Sequence, residues 1–147
     1  MRYLLDSDAL SDLYDPEASG HEDVTRKLAS LESSDQVFIS VLALYELEYG
    51  FANAPEEKKS VIRKRISAAQ EDFPILPLTA EAAGLFGSLK ADFRQLRQLS
   101  DKVAKRHNID LMLAATAISE ECALVSSDSL YPDVQQLHAG LRLESWR

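Results

Sequence analysis

Phe38-Ile39-Ser40-Val41-Leu42-Ala43-Leu44-Tyr45-Glu46-Leu47-Glu48-Tyr49-Gly50 is the stretch from which the chain is read. Val37-Phe38-Ile39 has the β-branched and aromatic composition of a short buried strand. Ser40 is a residue type that caps helices. The helix it opens, about Val41 to Ala52, carries Leu42, Tyr45, Leu47 and Tyr49. A strand running through a small polar cap into a helix is the repeating unit of an α/β sheet. Glu46 lies six residues beyond Ser40, about 1.7 turns or roughly 9 Å of helical rise. A carboxylate in so apolar a stretch still stands close to the strand end.

The same unit recurs on either side. Arg2 to Leu5 is an apolar run that stops at Asp6, and Ser7 to Leu13 reads as a helix ended by Asp15-Pro16. His21 to Leu31 places Val24, Leu28 and Leu31 at helical spacing. Ala54-Pro55 breaks the Val41 helix, and Glu56 to Asp72 follows as a charged amphipathic helix with Val61, Ile62 and Ile66. Ile75-Leu76 is a strand confined to an edge by flanking prolines. Thr79 caps a long helix bearing Ala82, Leu85, Phe86, Leu89, Phe93 and Leu96. Leu111 to Cys122 is a helix rich in small residues, and Ala123 to Ser126 a fourth strand. Tyr131-Pro132 falls in a loop or short helix, and Leu141 to Glu144 forms a last strand. Alternating strands and helices predict a three-layer α/β/α domain over residues 1–147, with a mainly parallel sheet of four to five short strands. Such sheets bind ligands outside the carboxyl ends of their strands.

Composition narrows the function. The chain has 147 residues, 46% apolar and 27% charged, enough for one proper core. Sixteen Lys and Arg against 24 Asp and Glu give a formal net charge of −8. Binding nucleic acid through bulk positive charge is excluded, because it rests on neutralising phosphates. A nuclease that carries its own metal ions is not. Cys122 is the only cysteine, so there is no internal disulfide and no cysteine zinc site. The expected setting is reducing and cytoplasmic, with no signal peptide and no membrane span.

The acids fall at telling places. Asp6 ends the first strand, Asp128 follows the fourth, Glu46 stands on the helix after the second, and Asp110 opens the Leu111–Cys122 helix. They can meet at one sheet edge although far apart in sequence. Carboxylates brought that close raise one another's pKa unless a cation joins them. A hard divalent ion with oxygen ligands is the natural one. Each acid also has a plainer reading. Asp6 and Asp8 suit a helix cap, Asp110 an N-terminal first turn, Asp128 a turn, and Glu46 an exposed stripe. Glu48 lies about 200° round the helix from Glu46 and should be solvated.

Together these residues resemble a PIN-domain ribonuclease of the VapC toxin type, over most of the chain. Tyr3-Leu4-Leu5-Asp6-Ser7-Asp8-Ala9-Leu10 is similar to that family's opening segment. Residues 38–50 are similar to its I-S-…-E-L-…-Y-G segment. Asp110-Leu111-Met112-Leu113-Ala114-Ala115-Thr116-Ala117 and Leu124-Val125-Ser126-Ser127-Asp128 resemble its later motifs, and Leu143-Glu144-Ser145-Trp146 a common tail. The resemblance implies Asp6, Glu46 and Asp110 as core metal-binding acids, with Asp128 as the fourth. It implies Ser7 and Ser127 as supporting hydroxyls, and one or two Mg2+ or Mn2+ ions per site. It also implies water attacking an RNA phosphodiester without a protein nucleophile, a cognate antitoxin protein, and a homodimer. Leu42, Leu44, Leu47 and Phe51 are a candidate antitoxin surface, although core packing suits most of them.

Asp8 departs from the family's usual Asn and adds charge. Lys102 to Ile109 replaces the usual Gly-Pro approach to the third acid, and Asp101 is a rival for that position. Lys102, Lys105 and Arg106, near Asp110 in sequence, are the expected RNA contacts; Lys58 to Arg65 is a second basic cluster. Two other classes are carried forward. One is a haloacid-dehalogenase-like phosphatase with Asp6 as nucleophile and Asp8 as general acid, which leaves Glu46 idle. The other is a non-catalytic α/β binding module whose acids are caps.

Overall fold

The computed structural model describes all 147 residues. Five strands form one sheet: β1 (Arg2–Leu5), β2 (Gln36–Ser40), β3 (Ile75–Leu76), β4 (Ala123–Val125) and β5 (Arg142–Glu144). Their order is β3-β2-β1-β4-β5, and every pairing is parallel. β1 is central, with Leu5 in register with Ile39 on one side and Val125 on the other. The two-residue β3 between its prolines is an edge strand, as its missing N–H donors require.

The helices are α1 (Ser7–Tyr14), α2 (His21–Ser30), α3 (Val41–Ala52), α4 (Glu56–Asp72), α5 (Ala80–Arg97), α6 (Asp101–Ala104), α7 (Asn108–Ser119) and α8 (Leu130–Leu137). Strand alternation sorts the core into two halves. Tyr3, Leu5, Ile39 and Val125 face Leu10, Val24, Ala69 and Phe73 from the helices on one side. Leu4, Phe38 and Leu124 face Leu89, Phe93, Leu111, Ala115 and Tyr131 on the other. This is the expected three-layer arrangement.

Three boundaries differ from the sequence reading. The Lys102–Ile109 connector, given no element from the sequence, is helical: Ser100 accepts the Val103 amide and opens α6, and a 3₁₀ turn (Lys105–His107) leads into α7. Helix α7 therefore starts at Asn108 and stops at Ser119, so Asp110 lies inside its first turn and Cys122 in the turn before β4. Residues around Tyr131-Pro132 form the full helix α8. Pro132 is tolerated because it sits in the first turn, where its missing N–H has no intrahelical partner to lose. No helix is long and apolar enough to cross a membrane.

Ser40 is fully buried where β2 passes into α3, and its hydroxyl accepts the Leu42 amide at 3.1 Å. Replacing Ser40 by Ala should cost about 1 kcal/mol, and by Gly only a few tenths. Urea denaturation of the two variants checks this. An equal loss in both would show that the cap is not what Ser40 contributes.

Candidate active site

The carboxyl edge of β1 delivers the first acid. Asp6 follows Leu5 directly and caps α1: its Oδ1 accepts the Ala9 amide at 2.7 Å. One oxygen of Asp6 makes the cap, and the same side chain also lines a pocket. That pocket has a volume of about 210 Å³. Asp6, Ser7, Asp8, Glu46, Asp110 and Asp128 line it, with Leu42, Ile109 and Tyr131 among its apolar walls. Parallel pairing of β2 and β4 on either side of β1 brings the α3 and post-β4 acids to the edge where Asp6 stands. Asp110 reaches it from the first turn of α7.

The side chains are held individually. Glu46 is exposed at the rim, and the Ser7 hydroxyl donates to its Oε1 at 2.8 Å. Tyr131, 2% exposed, donates to Asp110 Oδ1 at 3.4 Å. The post-β4 turn is tied by Asp128 itself: its amide donates to the Ser126 hydroxyl, and its Oδ1 accepts the Leu130 amide. Glu48 points elsewhere, as its helical phase requires, and forms a two-point pair with Arg63 at 2.7 and 2.8 Å.

Three expected assignments need adjustment, and the rival Asp101 lies apart from the pocket. Ser127 does not line the pocket; its hydroxyl bonds Ser145 at 2.7 Å, and Ser126 is the hydroxyl beside Asp6. Asp101 is exposed and paired with Arg94, which leaves Asp110 without a rival. Lys102, Lys105 and Arg106 are exposed on α6 and the following turn, but none lines the pocket. Leu42 is a wall of the acid pocket, and Phe51 lies beneath the Arg63 guanidinium, 4.1 Å from the ring centroid. Of the four candidate antitoxin residues only Leu47 lines a separate apolar pocket. Tyr131 was missed because a tyrosine 21 residues after Asp110 carries no sequence signal of its role.

Crowded carboxylates leave an electrostatic mark. Burial pushes the Asp6 carboxyl up to about 6, with Asp8 and Asp128 adding to it against the Ser126 and Ala9 hydrogen bonds. Asp110 is raised by burial first and then by the charges of Asp128 and Glu46. The donors are all hard oxygens, which suits Mg2+ or Mn2+. No three acidic or histidine side chains are drawn together tightly enough to grip one ion. Magnesium does not need that, because it keeps several waters and takes one or two carboxylates directly.

The shift carries a stability consequence. A carboxyl whose folded pKa lies above its unfolded value binds protons more readily when folded. Its ionisation therefore destabilises the fold, progressively from about pH 4 to pH 6. Two units correspond to a penalty on the order of 3 kcal/mol at neutral pH. The melting temperature of the metal-free protein should rise as pH falls from 7 to 5. Asp6→Asn, which keeps the cap, should flatten that rise and be the more stable protein at pH 7. A thermal melt series in chelator checks both; a wild-type protein that loses stability over that range would contradict the assignment.

Known proteins share this fold. The family model for the PIN domain matches residues 3–137. No curated protein gives a significant match. Among solved structures, the chain is similar to VapBC2 from Rickettsia felis bound to a promoter DNA fragment, with a TM-score of 0.80, 21% identity and 100% of both chains covered. It is also similar to FitAcB from Neisseria gonorrhoeae, with a TM-score of 0.74, 22% identity and 97% and 96% of the two chains covered. VapBC-1 from nontypeable Haemophilus influenzae gives a TM-score of 0.74 at 17% identity, with 99% and 98% covered. With one fold across the whole length, and a family model spanning nearly all of it, this chain belongs to the PIN-domain family.

Proposed function

We propose that this chain is a metal-dependent endoribonuclease and the toxin of a type II toxin–antitoxin pair. One observation carries the reading: Asp6, Glu46, Asp110 and Asp128, from four separate segments, line a single pocket at the carboxyl edge of the sheet. Membership of the PIN family supports it. The four acids would hold one or two Mg2+ or Mn2+ ions. Such an ion, when bound, activates water and neutralises charge developing on a phosphodiester. The chain's own groups do the positioning. Ser7 fixes Glu46, Tyr131 fixes Asp110, and the Ala9 amide fixes Asp6. Lys102, Lys105 and Arg106 make no ion pair and suit the RNA backbone beyond the pocket.

The partner reading rests on a second pocket of about 320 Å³, lined by Leu10, Tyr14, Leu47, Ile62 and Ile66 and sharing Glu46 with the acid pocket. An apolar segment of an antitoxin seated there would reach the acids directly. Similar structures are of VapBC pairs and of a toxin–antitoxin complex from Klebsiella pneumoniae. A homodimer and a cytoplasmic location complete the proposal. The phosphatase alternative explains Asp6 and Asp8 but gives no role to Glu46 and Asp110 in the same pocket. A binding module whose acids are only caps gives none to the convergence itself.

Asp6→Asn, Glu46→Gln and Asp110→Asn should each lower Mn2+-dependent cleavage of RNA by at least about a hundredfold, with the circular dichroism spectrum unchanged. A fully active Asp6→Asn protein, or turnover of a phosphomonoester through an aspartyl phosphate, would overturn the reading. Expression should arrest growth, and co-expression of the adjacent gene should relieve it.

A further inference from the structure

Behind the acid pocket lies a second set of contacts, made by the last residues of the chain. Asp12 is one turn beyond Asp8 on α1 and is only 5% exposed. Arg147 meets it with Nε 2.8 Å from Oδ2 and an Nη nitrogen 3.2 Å from Oδ1. The same Nη nitrogen donates to the Ser19 hydroxyl. Gly20 leaves room for this pair, because a Cβ there would collide with both Asp12 and Arg147. Trp146 is 5% exposed, packs edge-on against Tyr3 at 5.4 Å, and donates to Glu144 at 3.0 Å. Ser145 bonds Ser127, next to Asp128. Between these contacts is a hollow of only about 10 Å³, lined by Asp8, Asp12, Ser126, Ser127, Trp146 and Arg147. Asp8 also lines the acid pocket, and Ser126 touches Asp6. The two spaces are therefore back to back.

We propose that residues 145–147 form a strap that positions two acid-bearing segments of the pocket, with Arg147 holding α1 through Asp12 and Ser145 holding the post-β4 turn through Ser127. Five carboxylates line the pocket. Ser7, Tyr131 and the Ala9 and Leu130 amides restrain single acids, and the strap adds a tie between whole segments. α1 with its cap and the post-β4 turn carry three pocket acids, Asp6, Asp8 and Asp128. The β1–β4 register ends at Leu5 and Val125, and the last backbone bond between the two segments is from the Asp6 amide to the Val125 carbonyl at 3.1 Å. The strap lies where that pairing stops. One hydrogen bond from the guanidinium to Oδ1, with Nε in close ion-pair contact with Oδ2, makes a directional tie on a buried carboxylate that a lysine's point charge reproduces only in part. Arg147 and Ser145 are thus positioning residues that touch neither metal nor substrate, and the functional part of the proposal rests on the acid pocket being the reaction site.

Amide hydrogen exchange and Mn2+ affinity of the full chain test this. Arg147→Gln should speed exchange at residues 6–12 about tenfold or more, with α5 and α7 unchanged. It should also weaken Mn2+ binding several-fold, with partial recovery in Arg147→Lys. Ser145→Ala, which leaves the buried pair intact and the fold unthreatened, should speed exchange at residues 126–128 only. Uniform acceleration across the protein in Arg147→Gln, or no local change in Ser145→Ala, would overturn the strap. So would unaltered Mn2+ affinity in a folded Arg147→Gln protein. A wild-type protein that fails to bind Mn2+ would instead sink the nuclease reading, while the exchange pattern still decides whether the strap restrains these segments.

Discussion

Burial of carboxylates beside one another at one sheet edge is the constraint around which this molecule is arranged. The central strand ends at Asp6, and its two neighbours feed segments bearing Glu46 and Asp128 to the same edge. Burial makes Asp6 costly to ionise, and nearby acids make it costlier. A fold maintaining such a group gains nothing from it in isolation. A cation that supplied the missing positive charge would make the arrangement favourable, which is why the proposed function includes a metal ion.

Much of the surrounding structure reads as support for that edge. The Ser40 cap launches α3 with the phase that puts Glu46 at the rim and Glu48 against Arg63. Ser7 and Tyr131 each donate to one acid. Of the sixteen Lys and Arg, nine are committed to ion pairs. The cations thus stitch the surface together and generate no broad positive field. Under the proposed function, an acidic protein would have to hold RNA locally, and Lys102, Lys105 and Arg106, which make no ion pair, are the cluster that would do it.

The fold was largely legible because its signals are local. Apolar runs stopping at Asp6, Ser40 and the Ser126 region mark strand ends, and prolines 74 and 77 mark an edge strand. The four acids stand out for a related reason: Asp6 directly follows β1, Asp128 comes three residues after β4, Asp110 lies in the first turn of α7, and Glu46 sits in an apolar stretch of the helix after β2. What could not be read is set by tertiary contacts. Ser127 and Ser126 are both plausible hydroxyls beside Asp128, and only the turn geometry aims Ser126 at the site. Asp101 and Asp110 are distinguished by Arg94, which neutralises the first. No element is read from the sequence at residues 101–107, because a four-residue helix and a 3₁₀ turn are too short to show periodicity. Tyr131, Asp12 and Arg147 reach their partners over separations that no sequence pattern encodes.

Calorimetric titration of Mn2+ into the metal-free protein, in buffers of differing ionisation enthalpy, tests the central claim most directly. A cation that relieves the repulsion must displace the proton that Asp6 holds near pH 6. Binding at pH 6 should therefore release roughly half a proton per protein, and binding at pH 8 almost none. Absence of binding, or binding at pH 6 without proton release, would contradict the account.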